Sequence, residues 1–192
     1  MKTVSMSGSL RENVGKKDAR KTRLEGKVPC VLYGGSEQLH FSIPEKDFKD
    51  IIFTPEVCFI DLNVDGKEFK ASLKDVQYHP VTDNIYHVDF LEIIEGKTIT
   101  MNIPLVVTGN STGVLRGGKL IRKLRRIKVK GLPHLIPDNI TLDITDLDIG
   151  GSIKVSSLTS DGIEFLDSKN IELVAVKMTR AVEEATTEVA KK

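Results

Sequence analysis

The stretch "DVQYHPVTDNIYHVDF", residues 75–90, places Gln77 and His79 two positions apart, and His87 and Asp89 two apart after a Pro80–Asn84 turn. Side chains along a strand alternate between faces, so each pair projects from one surface. An amide, two imidazoles and a carboxylate offer directional donors and acceptors with little net charge. That chemistry suits base edges and ribose hydroxyls, which the wide, shallow minor groove of RNA displays. A carboxylate aimed at bare phosphates is unfavourable, whereas opposite an amino group or a hydroxyl it accepts a hydrogen bond. A plain exposed strand face is the competing account, and the pattern alone does not choose.

The complementary chemistry sits in "GKKDARKTRLEGKVP", residues 15–29, with six basic and two acidic side chains. Residue propensities favour a short helix from Asp18 to Glu25, with Gly26 just past its end. On that helix Lys16, Arg20 and Arg23 are spaced four and three and share a face, with Lys17 and Lys21 beside them. Asp18 and Glu25 each offset one charge and leave most of the cations unpaired. Clustered unpaired cations suit phosphates, because each contact releases condensed counterions. Phosphate contacts position a protein without selecting its site. Arg11 is grouped with the basic helix, and Gln77, His79, His87 and Asp89 form the expected reader.

Other chemistries fit less well. Cys30, His40, Cys58, His79, His87 and His134 fall into no CxxC, HxxxH or HExxH spacing, so no metal is expected. "GVLRGGKL" resembles a phosphate-cradling loop, with Gly113, four residues, Gly118 and Lys119. The position that would hold magnesium through a hydroxyl is Leu120, and no alternating βαβ pattern surrounds the motif. A glycine-rich connection between strands is the better account. No catalytic residue, cofactor or small-molecule substrate is expected.

Strands must position the reading residues. "CFIDLNVDGKEFKASL" alternates Cys58, Ile60, Leu62 and Val64, then Phe69, Ala71 and Leu73, around Asp65-Gly66, a tight hairpin turn. Val76 and Tyr78 are assigned to one face of the next segment, and Tyr86, Val88 and Phe90 to an apolar face of its partner. "PEKDFKDIIF" reads as a short amphipathic helix covering one end of a sheet, with Phe48, Ile51 and Ile52 inward. A boundary falls at Glu95-Gly96-Lys97. Beyond it "TITMNIPLVVTG" opens a second β-rich segment, followed by a glycine-rich loop and alternating Ile140, Leu142 and Ile144. "RAVEEATTEVAKK" lacks a sizeable apolar stripe and reads as a frayed or disordered tail.

The whole chain of 192 residues carries a net charge of only +1. That total hides a segregated distribution. Residues 1–35 hold eight basic and three acidic side chains, while residues 36–95 hold five and thirteen. Residues 116–130 hold eight basic side chains and no acid. Two concentrated basic patches on an acidic body indicate directed contact with a polyanion. The start MKTVSMSGSLREN has no apolar stretch, so no secretory signal is expected, and no run approaches the roughly 18 apolar residues of a membrane span. Two cysteines in apolar segments fit buried free thiols in a reducing cytoplasm.

With these residues in place, "RENVGKKDARKTRLEGKVPCVLYGG" resembles the N-terminal signature of the bacterial large-subunit ribosomal protein L twenty-five family. "VDGKEFKASLKDVQYHPVTDNIYHVDF" is similar to that family's DGK hairpin, its V-Q-x-H-P turn and its final H-x-D-F strand. Residues 97–178 resemble the C-terminal β domain of the long form, often called Ctc or general stress protein. The resemblance implies a mainly β protein with short helices. It has an N-terminal β-barrel over 1–95, a C-terminal β domain over 96–179 and a tail at 180–192. It also implies a non-catalytic protein of the cytoplasmic ribosome that binds 5S rRNA in the 50S subunit, beside neighbouring rRNA and ribosomal proteins. By position, Lys16, Arg20 and Arg23 match the basic helix, Tyr33, Gly34 and Gly35 the loop after its strand, and Gln77, His79, His87 and Asp89 the RNA-facing strands. Asp18 and Thr22 depart from a helix that is often more uniformly small or basic. A second rRNA contact is assigned to Arg116, Lys119, Arg122, Lys123, Arg125, Arg126 and Lys128. A stress-linked RNA-binding factor that visits ribosomes transiently is the alternative, and a nucleotide-dependent enzyme the remote one.

Overall fold

The hairpin marked by Asp65-Gly66 is formed, with φ of 48° and 86° at the two turn residues. It joins β4 (Cys58–Val64) to β5 (Lys67–Tyr78), paired antiparallel from Val64↔Lys67 to Phe59↔Ser72. The computed structural model describes residues 2–35, 37–160 and 162–179, so the expected tail at 180–192 lies outside the described residues. The chain divides into two units at Ile99.

In the first unit the hairpin belongs to a closed six-stranded barrel. The other strands are β1 (Lys2–Leu10), β2 (Lys27–Tyr33), β3 (Leu39–Pro44) and β6 (Ile85–Glu92), and the order around the barrel is β1-β3-β2-β6-β5-β4. β1 closes it, running parallel to β4 from Lys2↔Cys58 to Gly8↔Val64 and antiparallel to β3 at Leu10↔Phe41. Gly8 permits that closure, because a Cβ there would sit 2.8 Å from the Phe41 ring. The interior holds Phe41, Phe48 and Phe90, all fully buried, with ring centroids 5.8 and 6.4 Å from Phe90. Each such burial contributes roughly 1.5–3 kcal/mol. Phe48 comes from a 3₁₀ turn (Glu45–Phe48) that runs into α2 (Lys49–Ile52), so "PEKDFKDIIF" closes one end of the barrel as its spacing predicts.

Two irregularities break the alternation along β5 and β6. Pairing steps from Leu73↔Phe90 to Asp75↔Asp89, which leaves Lys74 as an extra residue, and from Gln77↔His87 to Tyr78↔Ile85, which leaves Tyr86 extra. A bulge of this kind re-aims the side chains beyond it. The expected apolar face of Tyr86, Val88 and Phe90 is therefore corrected. Val88 and Phe90 are in the core, Ile85 takes the inward place, and Tyr86 is 43% exposed. Tyr78 is likewise 46% exposed, while Val76 packs against the core as expected.

α1 (Lys16–Leu24) begins two residues earlier and ends one residue earlier than its propensity suggests, with Glu25 as its C-cap and Gly26 at φ 74°. It packs on the outer face of β2, where Thr22 is buried. Cys30 in β2 and Cys58 in β4 are buried free thiols, and burial pushes both thiols above their ordinary range.

The second unit is also mostly strands. β7 (Ile99–Thr108) is flanked by β10 (Ile140–Asp143), parallel from Ile140↔Leu105 to Asp143↔Thr108, and by β9 (Arg126–Gly131). β12 (Ile163–Phe165) completes this four-stranded sheet. A second sheet orders β11 (Ser152–Lys154), β13 (Glu172–Lys177) and β8 (Lys119–Arg122). Leu142 and Ile144 are buried as their alternation predicts, together with Ile103, Ile127, Val129 and Leu173. The protein is mainly β with short helices, a barrel in the first unit and a β-rich second unit.

Candidate nucleic-acid interface

α1 does not seal the outer face of the barrel. Between helix and strands lies a cleft of about 720 Å³, mostly apolar in its floor and cationic at one wall. Lys16, Arg20 and Arg23 line the helix wall, and His79, Tyr86, His87, His40 and Pro29 line the strand wall. The four-three spacing thus turns three cations toward one space, as expected for one face of a helix. Lys17 and Lys21 are exposed outside the lining, and Lys21 reaches Glu25 at 4.0 Å.

Three contacts hold this helix wall in place. Arg11, at the end of β1, donates from Nε and Nη2 to Asp18 Oδ2 at 3.0 and 2.6 Å, with its side chain only 9% exposed. The Thr22 hydroxyl donates to the Asp18 carbonyl at 3.0 Å. Asp18 and Thr22, which depart from the family's usual helix, thereby acquire structural work. Arg23 donates from Nε to the Tyr86 carbonyl at 3.0 Å, and its guanidinium lies 3.5 Å from the centroid of the Tyr86 ring. A guanidinium over an aromatic face is attracted by the ring quadrupole, by about 0.5–2 kcal/mol.

On the strand wall His79 and His87 are held differently. His87 Nδ1 lies 2.7 Å from Asp89 Oδ1, both side chains being about a quarter exposed. His79 Nδ1 accepts the backbone N–H groups of Val81 and Thr82 at 3.3 and 3.2 Å, so the imidazole fastens its own turn. Gln77 is exposed directly opposite His87, and Asp75 sits opposite Asp89. Gln77 and Asp89 border His87 but stand outside the cleft lining.

Tyr33, Gly34 and Gly35 are placed at the far end of β2, beside Leu91 and Glu92, and do not line the cleft. Gly34 has φ 101°, and a Cβ on it would lie 2.7 Å from Leu91. The Tyr33 hydroxyl is held above its ordinary pKa by burial first, then by the Asp89 and Asp75 carboxylates. Spacing alone missed His40, Pro29, Val14 and Leu24 as cleft residues. Pro29 and His40 come from β2 and β3, which only the barrel brings to the helix, whereas Val14 and Leu24 lie at the two ends of the helix stretch itself. Tyr86 lies outside the apolar face expected of it, and the adjacent apolar pair Ile85-Tyr86 already signals a break in a two-residue period.

The second basic patch is distributed over two sheets. Arg126, Lys128 and Lys130 alternate with buried Ile127 and Val129 along β9, so all three project outward. Lys119 and Arg122 are exposed on β8 of the other sheet. Part of the charge is compensated. Arg116 pairs with Asp148 at 2.6 Å and Lys130 reaches Glu164 at 4.0 Å. Lys123 pairs with Glu172, whose carboxyl it holds below the usual range. Among the described residues no acid forms an ion pair with the side chains of Lys119, Arg122, Arg125, Arg126 or Lys128, although the Asp167 carboxylate accepts from the Lys128 backbone N–H at 2.8 Å.

The glycines of "GVLRGGKL" serve packing. A Cβ on Gly113 would lie 2.6 Å from the Asp148 carbonyl carbon, and one on Gly118 would lie 2.7 Å from the Gly113 oxygen. The backbone N–H groups that a phosphate would need are already committed. Thr112, Gly113 and Gly118 donate to Thr145, Leu147 and Gly113 carbonyls at 3.3, 3.0 and 2.8 Å.

A closed barrel carrying a cation-lined cleft, followed by a β-rich unit whose glycine loop is internally bonded, defines a protein built for binding. Residues 6–90 match the model of the Ribosomal L25p family, and residues 98–180 match the model "Ribosomal protein TL5, C-terminal domain". The chain is 43% identical over 188 residues to a protein of Phocaeicola vulgatus named large ribosomal subunit protein bL25, covering 94% of this chain and 95% of that one. A protein of the same name from Cytophaga hutchinsonii is 41% identical over 192 residues, with full coverage of both. The chain belongs to the Ribosomal L25p family. It is a ribosomal structural protein, not an enzyme.

Proposed function

We propose that this chain is a component of the large ribosomal subunit whose first unit binds 5S rRNA at the cleft between α1 and the barrel. The observation that carries the reading is the pairing of two walls. One presents Lys16, Arg20 and Arg23, and the other His79, Tyr86 and His87. Cations satisfy phosphates and set the register, while the polar wall addresses base edges and sugars in a shallow minor groove. Arg11 lines the same cleft and holds the helix wall through Asp18, and Gln77 and Asp89 flank His87 at its margin. Lys119, Arg122, Arg125, Arg126 and Lys128 form a secondary rRNA-facing surface in the second unit, where the unpaired cations lie.

Salt-dependent binding of the full chain to purified 5S, 16S and 23S rRNA tests the reading. Preference for 5S is expected. Arg20→Ala should flatten the log–log salt dependence by about 0.7–0.9, the value of one lost phosphate contact. Gln77→Ala should lower the preference for 5S with little change in slope. Equal affinity for all three RNAs would refute the assignment.

A further inference from the structure

The outer face of the four-stranded sheet in the second unit carries a row of cations on one strand. Along β9, Arg126, Lys128 and Lys130 are exposed, while Ile127 and Val129 between them are buried. Residues two apart on a strand stand about 6.5 Å from each other, so the row is nearly straight and spans about 13 Å. β9 lies between β7 and β12 and pairs with β12 from Gly131↔Ile163 to Val129↔Phe165. On its other side the Leu105 N–H donates to the Arg125 carbonyl at 2.9 Å. The row is therefore mounted on an interior strand rather than on a loop. Arg126 and Lys128 form no side-chain ion pair among the described residues. Lys130 stands opposite Glu164 in the ladder, and their charges lie 4.0 Å apart.

Cations at even intervals along a line match a polyanion whose charges repeat at a similar interval, as the phosphates of a nucleic-acid strand do. In a duplex each strand winds away from a straight row, whereas a single strand can lie along it. Pro104 and Val106 alternate with buried Ile103 and Leu105 on β7, so they share the outward face with Arg126. None of the outward positions on β7, β9, β10 or β12 is aromatic, so the face offers no platform on which a base could stack. Phosphate contacts without base contacts carry no sequence information. We propose that β9 grips the backbone of one unpaired RNA strand, setting Arg126, Lys128 and Lys130 against successive phosphates without regard to sequence. Glu164 is a tethered counter-anion, which the phosphate at Lys130 displaces. This inference rests on the second unit facing rRNA, as proposed above, and adds the form of RNA it takes.

The test titrates the full chain with a fluorescent oligouridylate across a range of salt, beside an RNA duplex of equal length. Every variant keeps the cleft of the first unit, so differences from the wild type report on β9. Arg126→Ala and Lys128→Ala should each flatten the log–log salt dependence for the single strand by about 0.7, the value of one phosphate contact on single-stranded nucleic acid. Duplex binding should stay as it is in both. Glu164→Gln should tighten single-strand binding by about 1.5- to 5-fold at low salt, the worth of one exposed ion pair released. A gain of that kind cannot come from a damaged fold. Lys177→Ala removes an exposed cation from β13 in the other sheet and should change nothing. Unchanged slopes in both β9 variants, equal flattening in Lys177→Ala, or equal losses on the duplex would overturn the ladder. A wild-type chain without preference for 5S rRNA would instead overturn the cleft assignment, since the oligouridylate series reads the ladder by itself.

Discussion

Arg23 and Tyr86, 63 residues apart in sequence, are joined twice, once through Nε to the Tyr86 carbonyl and once through the guanidinium stacked on the ring at 3.5 Å. The pair bridges the two walls of the cleft. Tyr86 is available because it is the extra residue of a bulge, turned outward from a strand whose regular alternation would have buried it. A local defect in pairing thus supplies the platform that aims a cation.

Tyr86→Ala should weaken 5S rRNA binding about three- to tenfold, by freeing Arg23 to sample other rotamers. Tyr86→Phe should bind like the wild type, since the ring and the carbonyl remain. Filter-binding titrations at fixed salt compare them directly, and equal losses in both variants would show that the hydroxyl, not the stack, matters.

Asp18→Asn should loosen the helix wall. It leaves the Arg11 guanidinium, 9% exposed, without its charge partner, at a cost of about 1–3 kcal/mol. Backbone amides across Lys16–Leu24 should exchange with deuterium faster, while those of β4 and β5 keep their protection. Uniform acceleration throughout the barrel would instead assign the pair a global role.

Gly113→Ala places a methyl group 2.6 Å from the Asp148 carbonyl carbon and should destabilise the second unit by about 1–3 kcal/mol. Magnesium–ATP or magnesium–GTP should leave the unfolding midpoint of the wild-type chain where it is. A nucleotide-dependent rise in that midpoint would show that the loop opens to take a phosphate.

Stability should fall with alkaline pH. Burial raises the Cys30 thiol well above its ordinary value of about 9, so the folded state keeps a proton that the unfolded chain releases. The contribution is complete below pH about 9 and is lost above it, by about 1.4 kcal/mol per pH unit for one group. Cys30→Ala should flatten that slope in urea titrations between pH 9 and 10.5, although it lowers stability at every pH. An unchanged slope would point to other groups, Cys58 and Tyr33 among them.

The legible parts of this protein were those where one segment carries its own signal. Asp65-Gly66 encodes positive φ at two successive positions, and Cys58 to Val64 spells out its inward face, so the hairpin followed directly. Lys16, Arg20 and Arg23 needed only helical spacing. β1 was illegible because Met6 is its one buried side chain, and the strand is defined by partners more than 30 residues away rather than by its own apolar period. The cleft was half legible. Its helix wall lies in one stretch, but Pro29 and His40 are added by β2 and β3, and the sequence contains no local mark of that meeting. The His87–Asp89 contact changed the meaning of Asp89. A side chain expected to address RNA also holds a neighbouring imidazole.

The parallel register of β1 with β4 has a consequence for synthesis. During synthesis β1 cannot complete its ladder until residue 64 has followed it. Arg11, at the end of β1, holds α1 through Asp18 and ties its own N–H to the His40 carbonyl in β3. Arg23 of α1 also meets Tyr86 of β6, the last barrel strand in the sequence, so the cationic wall is fully fastened only when that strand is in place. A nascent or misfolded chain would display the same charges without their geometry, so under the proposed function grip on RNA would double as an inspection of the finished fold.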